Sequence, residues 1–179
     1  MIPTELETER LRLRPFTLDD APAVQAMLSD PQVSGTLMDI VHPFTVSDAQ
    51  EMIAASQDEA LRGMAYRFGI ERKSDHLLVG YCDIEIHRAH ERGEIAFWLG
   101  RPYWWQGYAT EAARKLVEFG FDTLKLYRVY AHCLVRNEAS AKVLQKAGLL
   151  HEGVHRQAAP VDDHFEDVAF YGLTQPART

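Results

Sequence analysis

The stretch from Glu94 to Ala112 combines a strand pattern, a short loop and a helix start, an arrangement that can bind phosphate. Residues 94–99 alternate as a strand, and a helical period begins at Gly107. The first turn of a helix leaves backbone N–H groups unpaired and carries a partial positive charge, so it binds phosphate without basic side chains. Because Gly107 and Ala109 keep that turn small, a pyrophosphate can approach the main chain. Plain packing of strand on helix is the alternative, since neither GxGxxG nor GxxxxGK(S/T) is present.

A histidine adjoins a cysteine at His132 and Cys133, and such a pair can supply the base and nucleophile of a cysteine enzyme. Both residues fall in a predicted strand, where neighbouring side chains point to opposite faces. The two groups cannot reach each other, so we exclude this dyad. Cys133 and the other cysteine, Cys82, lie in apolar runs, and we expect buried free thiols rather than a disulfide.

Two histidine pairs have spacings that invite a metal site, namely His87 with His90 and His151 with His155. The first pair straddles the end of a predicted strand, and the second lies on a predicted strand. Neither pair has a third ligand at a useful spacing, whereas zinc sites use at least three protein ligands. We therefore predict no metal.

Hydrophobic periodicity assigns strands and helices around these groups. Alternation predicts strands over residues 10–16, 65–71, 77–87, 94–99, 127–135, 150–157 and 165–173. Helical spacing predicts one helix between a cap at Thr17 or Asp19 and a stop at Pro31. Three more helices are predicted over residues 45–61, from residue 107 onward, and over residues 137–147.

The chain has the size and composition of one folded domain. It has 179 residues, of which 46% are hydrophobic and 25% charged, and it contains no internal repeat or linker. The order of elements predicts a single domain over residues 1–179, of the α/β (α+β) class, in which a mixed sheet carries helices on both faces.

Charge and hydropathy exclude some classes of function. The net charge of −7 argues against a nucleic-acid partner, whose binding depends on neutralised phosphates, and it suits a cationic substrate such as an amine. No stretch reaches the roughly 20 apolar residues that span a bilayer. The polar, acidic start does not resemble a signal peptide. We expect a cytoplasmic protein with no membrane or nucleic-acid partner.

Two motifs carry a family resemblance. Residues 103–112 read YWWQGYATEA, and residues 128–149 read RVYAHCLVRNEASAKVLQKAGL. Both resemble motifs of the GNAT acetyltransferases, and they match best the RimJ/RimL-type branch, which acetylates N-termini of ribosomal proteins. Residues 9–16, 152–156 and 167–173 are similar to that branch too, so the resemblance covers nearly the whole chain.

The resemblance implies a fold and a set of cofactor contacts. The fold is a mixed, mostly antiparallel seven-stranded sheet flanked by about four helices, in which strands 94–99 and 127–135 splay apart. The cosubstrate is acetyl-CoA, without a metal. Its pantetheine arm would pair with the main chain like an added strand, and its pyrophosphate would be held by backbone amides. The implied cofactor-binding residues are Phe97, Trp98, Leu99, Gln106, Gly107, Tyr108, Ala109, Thr110, Asn137 and Ser140.

Some of these residues have a second interpretation. Asn137 can bind pantetheine amides, cap a helix, or do both. The candidates for the ribose phosphate, which can equally be solvated surface charges, are Arg101, Lys142 and Lys146. Trp104 stands where the family usually has Gln or Arg, and Trp105 stands where a small residue is common. Trp105 can therefore narrow the loop or face solvent.

Acetyl transfer to an amine needs a neutral nucleophile, donors for the tetrahedral oxyanion and a proton for the departing thiolate. By resemblance Ser140, in an Asn-x-x-Ser pattern, is the acid, although at the third residue of a helix it can be purely structural. Glu94 shares a strand face with Ala96 and Trp98 and is the leading candidate for the base, with a plain surface carboxylate as the alternative. The backbone N–H of Trp98 or Leu99 is the natural oxyanion donor.

The acceptor side is built from loops, here residues 34–44 and 158–164. Their acidic and imidazole side chains are Asp39, His42, Asp162, Asp163 and His164. Weaker candidates for holding a substrate ammonium are Asp83, Glu85 and Glu166. The resemblance implies a peptide N-terminus as acceptor and a homodimer. The alternatives are a small amine (an amino acid, polyamine or aminoglycoside) and a non-catalytic regulatory module that binds coenzyme A.

Overall fold

The computed structural model describes residues 5–38, 40, 43–161 and 164–175, which contain eight strands and five α-helices. The strands are β1 Leu6–Glu7, β2 Leu11–Arg14, β3 Ala65–Arg72, β4 Leu77–His87, β5 Arg92–Leu99, β6 Arg128–Leu134, β7 Leu150–Val161 and β8 His164–Thr174. The helices are α1 Ala21–Leu28, α2 Pro31–Ser34, α3 Val46–Arg62, α4 Tyr108–Glu118 and α5 Glu138–Lys146.

The strands form one mixed sheet in the order β1-β2-β3-β4-β5-β6-β8-β7. Each neighbouring pair is antiparallel except β5 and β6, which are parallel and are connected through α4. The predicted hairpin is present, because β3 and β4 pair from Ala65↔Glu85 to Arg72↔Leu77. The predicted mixed, mostly antiparallel architecture is confirmed.

The eighth strand, β1, is one more than the sequence predicts. Its two residues pair with Leu13 and Arg12 of β2. The turn that connects β1 to β2 is closed by a hydrogen bond from the Thr8 N–H to the Leu11 carbonyl at 3.0 Å. A two-residue strand is too short to show alternation, so only the pairing partner reveals it.

A fifth helix, the single turn α2, begins where the sequence predicts only a stop. α1 ends at Leu28, and the carboxylate of Asp30 accepts a hydrogen bond from the Gln32 N–H at 2.9 Å. Pro31 occupies the first position of the new turn, where its missing N–H is not needed. The Asp-Pro pair therefore ends one helix and starts another.

Helices cover both faces of the sheet, as predicted. α4 and α5 pack on one face, where the buried residues include Ala112, Leu116 and Leu144 from the helices and Ile95 and Val129 from the sheet. The helices α1, α2 and α3 pack on the other face, over a cluster that includes Phe16, Val24, Val33, Ile53, Tyr81 and Trp98. Both cysteines are buried free thiols, as expected. Within the described part of the chain no helix is both long and apolar enough to cross a membrane.

Candidate active site

The sheet opens into a fork between its two parallel strands. β5 and β6 pair at only three positions, the last of which is Glu94↔Tyr130. Beyond that point β5 stays paired with β4 up to Leu99, and β6 stays paired with β8 up to Leu134. Each arm is thus held by its outer neighbour while the inner edges separate. This gap, flanked by residues 95–99 and 131–134, is called the fork below, and it confirms the splay implied by the resemblance.

Two exposed residues show that the fork is open to solvent. Ala96 on β5 and His132 on β6 are exposed, although both strands lie in the interior of the sheet. No strand of the described residues pairs with the inner edges here, and a strand edge of this kind accepts an extended ligand. The fork therefore fits a chain with amide groups spaced along it, such as pantetheine.

The loop over residues 104–110, called the coenzyme loop below, has the form that the sequence predicts for phosphate binding. Gly107 is the N-cap of α4, is exposed, and has a φ of +82°, in the left-handed region that favours glycine. A Cβ built at this position would lie 3.3 Å from Nη2 of Arg10. The free N–H groups of the first turn of α4 follow directly, so the main chain fits a pyrophosphate.

The two tryptophans of the loop have different roles. The indole N–H of Trp104 donates to the Leu99 carbonyl at 2.8 Å and so ties the loop to the end of β5. Trp105 is 84% exposed and has a φ of +62°. Of the two alternatives for Trp105, the structure supports the one in which it faces solvent. Its left-handed backbone explains why a small residue suits this position.

Arg10 holds the coenzyme loop from outside, a role that sequence reasoning missed. Its guanidinium donates to the Gln106 carbonyl at 2.9 Å and to the Glu111 carboxylate at 2.7 Å, and it lies 4.7 Å from the centroid of the Tyr108 ring. Arg10 and Glu111 are 101 residues apart along the chain, so local patterns cannot reveal this contact.

At the far arm of the fork, Asn137 caps α5. Its side-chain oxygen accepts a hydrogen bond from the Ser140 N–H at 3.1 Å. The capping role is confirmed, and a contact with pantetheine stays a prediction. Burial raises the pKa of the Cys133 thiol, and a hydrogen bond from the half-buried Ser140 hydroxyl opposes that shift. Ser140 therefore lies beside Cys133, on the α5 side of the sheet.

Glu94 lies at the base of the fork and is held by two side chains of β6. Its carboxylate is paired with Nδ1 of His132 and accepts a hydrogen bond from the Tyr130 hydroxyl. Burial opposes ionisation of Glu94, but these hydrogen bonds outweigh it and lower its pKa. Burial and the Glu94 charge raise the pKa of Tyr130 well above its usual value. The sequence pointed to Glu94 but to neither of its partners.

His132 and Cys133 lie on opposite faces of β6, which confirms that they form no dyad. His132 is exposed and pairs with Glu94, whereas Cys133 is buried against the α4 and α5 side. Among the described residues, no group of three His, Cys, Asp or Glu side chains could hold a metal ion.

Of the weaker acidic candidates, two are already paired. Asp83 accepts from Arg67 at 3.0 Å, from the Tyr81 hydroxyl at 2.9 Å and from the Ala96 N–H at 3.1 Å. Burial raises the pKa of Asp83 to about 6, against the effect of Arg67. Glu166 is paired with Arg136 and His164. The third candidate, Glu85, is exposed and lies opposite Glu94 in the sheet register.

The remaining candidates are surface residues or lie outside the described part of the chain. Lys142 is exposed and lies 3.3 Å from Glu138; Arg101 and Lys146 are exposed as well. In the two acceptor loops, His164 is described and is 3.3 Å from Glu166. Outside the described residues lie Asp39, His42, Asp162 and Asp163.

Fold and site together define an α/β protein in which a helix N-terminus with phosphate-binding geometry opens beside a forked sheet. Residues 10–150 match the family model described as acetyltransferase (GNAT) domain, and the chain belongs to this family. It is an N-acetyltransferase that uses acetyl-CoA.

Individual relatives agree with this assignment. The chain is 38% identical over 170 residues to the uncharacterised N-acetyltransferase p20 of Bacillus licheniformis, covering 94% of each chain. It is 29% identical over 111 residues to the ribosomal-protein-serine acetyltransferase of Escherichia coli, covering 62% of this chain and 61% of the relative. A crystal structure of a GNAT-family acetyltransferase from Bacillus anthracis superposes with a TM-score of 0.85 at 27% identity, covering 95% of this chain and 98% of the other.

Proposed function

We propose that the acceptor is the α-amine at the N-terminus of a peptide or protein, as in the ribosomal-protein type of this family. The observation that carries the proposal is the pair of carboxylates at the base of the fork. Glu85 and Glu94 are direct cross-strand neighbours, and directly opposite residues of antiparallel strands share a face. A negative site beside the open fork attracts an ammonium group, and similarity to the E. coli ribosomal-protein-serine acetyltransferase supports a peptide.

The strength of the bases present favours an α-amine over an alkyl amine. The attacking nitrogen must be neutral, and an α-amine has a pKa of about 8, against about 10.4 for a lysine-like amine. At neutral pH about a tenth of α-amines are already neutral, but fewer than about one alkyl amine in a thousand. The groups at the base of the fork are carboxylates and an imidazole, which are far weaker bases than an alkyl amine, so they suit an acceptor amine that is already partly neutral.

The coenzyme contacts that we propose are mostly main-chain contacts. The residues of the coenzyme loop, from Gln106 to Thr110, would hold the pyrophosphate through N–H groups at the start of α4. The inner edge of β5 at Phe97, Trp98 and Leu99 would pair with the pantetheine arm, and Asn137 would approach it from the opposite arm. Acetyl-CoA, when bound, supplies the activated acetyl group.

The catalytic groups of this proposal lie on opposite sides of the sheet. Glu94 and its partners face the side covered by α1 to α3, whereas Ser140 lies on the α5 side. An amine arriving on the first side would lose its proton to the Glu94 cluster, and Ser140 would protonate the leaving thiolate on the second. The N–H of Trp98 or Leu99 would stabilise the oxyanion between them.

A panel of acceptors tests the proposal. Purified protein is incubated with acetyl-CoA and hexapeptides that begin with Ser, Ala or Met, with spermidine, with kanamycin and with free amino acids. Released thiol and product mass are measured. The matched control is each peptide with a blocked N-terminus and an internal lysine. We expect the best free peptide to exceed every small amine at least tenfold in kcat/KM. Equal or better turnover of a small amine, or acetylation of the blocked control, overturns the peptide assignment.

From the family resemblance we also propose a homodimer that works in the cytoplasm, with residues 1–179 as one N-acetyltransferase domain. Light scattering coupled to gel filtration tests the dimer, and a monomeric mass at micromolar concentration contradicts it.

A further inference from the structure

His132 stands at the point where the fork begins. It lies two residues beyond Tyr130, the last residue of β6 that pairs with β5. Because side chains alternate along a strand, His132 shares a face with Tyr130 and also with Glu94, to which its Nδ1 is paired. Its side chain is 35% exposed, against 24% for Glu94, so the ring is the more accessible partner of this pair.

The contact with Glu94 defines the chemistry of the ring. A carboxylate accepts a hydrogen bond only from a protonated nitrogen, so Nδ1 carries a proton in this pair. In the neutral ring the basic lone pair is then on Nε2. The same arrangement of carboxylate, Nδ1–H and basic Nε2 orients general bases in hydrolases.

Neighbouring rings limit the orientation of His132. The Phe170 ring lies 5.6 Å from it between centroids, at an interplanar angle of 31°, and His155 packs on Phe170 at 4.2 Å. The imidazole is therefore supported by an apolar ring on β8 and by a carboxylate on β5, one on each neighbouring strand.

Glu94 itself is poorly suited to accept a proton. It already accepts hydrogen bonds from His132 and Tyr130, and these lower its pKa despite burial. General-base catalysis weakens as the pKa of the base falls below the working pH, so a carboxylate that is stabilised in its ionised form is a poor base.

We propose that Nε2 of His132 takes the proton from the acceptor amine, and that Glu94 is a positioning residue that holds the ring in the required tautomer. This inference rests on the proposed function, since it names the base of that same site. The amine nitrogen forms a bond to the thioester carbonyl carbon, and one N–H proton passes to Nε2. The C–S bond then breaks, its electron pair leaves on the sulfur, and the thiolate takes a proton from Ser140. His132 releases its proton to solvent and Ser140 regains one, so the products are the amide and free coenzyme A.

Activity of a His132→Gln variant is the first test, with the best peptide of the panel above as acceptor. We expect kcat to fall about 10²–10⁴-fold, as for loss of a general base, while the Kd for coenzyme A changes less than about twofold. The rise of kcat with pH that a general base causes is expected to disappear. In His132→Ala, added imidazole should restore part of the activity. The exposed His90→Gln, outside the fork, is the matched control.

The pH profile has to be interpreted against the other groups around the ring. Among the described residues, the titratable and charged side chains around this site include Glu94 and Arg92 on β5, Glu85 and His87 on β4, Tyr130 and Arg128 on β6, and His155 on β7. We therefore measure His155→Gln and His87→Gln in parallel. If either of these, and not His132→Gln, abolishes the rise of kcat with pH, His132 is not the base.

The role of Glu94 is tested without any acceptor. In ¹⁵N-histidine NMR spectra, the signal that His132→Gln removes should show an Nδ1–H tautomer in the neutral parent protein. Glu94→Met, which removes the acceptor, should shift that signal towards the other tautomer and lower kcat, and Glu94→Asp should keep part of both. An unshifted tautomer in Glu94→Met, or an active His132→Gln with an unchanged pH profile, overturns the inference. The proposed function fails separately, if the parent protein acetylates none of the peptides.

Discussion

The coenzyme loop and the base of the fork are built in opposite ways. In the coenzyme loop our proposal assigns the binding to the main chain, and the side chains of Trp104 and Arg10 hold the loop in shape. At the base of the fork the main chain sets the spacing of β5 and β6, and our proposal assigns the chemistry to the paired side chains of Glu94 and His132. Substitutions should therefore act through bulk and backbone conformation in the first region, and through lost functional groups in the second.

The largest expected effect is the loss of coenzyme binding in Gly107→Arg. A side chain at this position enters the space in front of the helix N-terminus, close to Arg10. We expect the Kd for coenzyme A, measured by calorimetry, to rise at least about 100-fold. Gly107→Ala is the control, because it has the same backbone strain but little bulk, and it should lose much less. Unchanged affinity in Gly107→Arg would show that the main chain of this loop does not hold the diphosphate.

Ser140→Ala tests the side-chain region on the far arm. The Ser140 N–H that donates to the Asn137 side chain belongs to the main chain, so this hydrogen bond survives the substitution. We expect kcat to fall about 10²-fold with little change in the KM for acetyl-CoA, as for loss of a general acid. Thermal unfolding of the same variant separates catalysis from folding: a large drop in Tm with an unchanged kcat would make Ser140 purely structural.

The Asp83→Asn substitution tests how Asp83 supports the fork, through the pH dependence of the unfolding free energy. The folded-state pKa of Asp83, about 6, lies above its usual value of 3.8, so the native state binds the proton more tightly than the unfolded chain between these values. The stability contributed by Asp83 is therefore highest below about pH 4 and declines as the pH rises through 6. Relative to the parent, Asp83→Asn should gain about 1–3 kcal/mol of unfolding free energy between about pH 4 and pH 7, measured by urea denaturation. A trend of the opposite sign contradicts this account.

Arg10→Met tests how much the Arg10 side chain supports the coenzyme loop. It removes the hydrogen bond to the Gln106 carbonyl and the ion pair with Glu111 but keeps an apolar stem over Tyr108. Since Arg10 only supports the loop, we expect a Kd for coenzyme A about 5–10-fold higher, worth about 1 kcal/mol. Arg12→Met, which loses contacts with Glu5 and Glu71 instead, is the control and should bind normally.

The smallest effect is expected for Trp105→Gly. The left-handed backbone at position 105 costs a non-glycine residue about 1–2 kcal/mol. Glycine avoids this cost, but it loses more conformational entropy on folding, which offsets part of the gain. The unfolding free energy should rise by about 0.5–1 kcal/mol, and the Kd for coenzyme A should stay within about twofold. A variant that binds coenzyme A poorly would show that the exposed indole is itself part of the site.

Helices and strands with strong local patterns could be predicted from the sequence. Elements that are very short, or that form only by pairing with another strand, could not. The hairpin of β3 and β4 and the helix after Gly107 follow from periodicity and are present. The two-residue strand β1 was missed because it is defined only by its pairing with β2. The extra turn α2 was missed because the fixed φ and missing N–H of a proline end one helix and also suit the first position of the next. The sequence pattern around Pro31 indicates only the first of these effects.

The same division holds for the site. Gly107 and Asn137 could be found because a left-handed turn needs glycine and a helix cap needs a short polar side chain, and both are local requirements. His132 was considered only with its sequence neighbour Cys133, and that pairing was rightly excluded. Its real partner, Glu94, lies on another strand and becomes visible only in the register Glu94↔Tyr130.

The sequence by itself determined the class of fold and the family, and it located the main-chain turn that we propose for phosphate, because each depends on residues that are close together along the chain. Only the tertiary structure decided that Glu94 meets His132, that Arg10 braces the coenzyme loop, and that Ser140 and Glu94 lie on opposite sides of the sheet. The physical reason is that such contacts depend on strand register, and a slip of one residue would move every side chain of a strand to the other face.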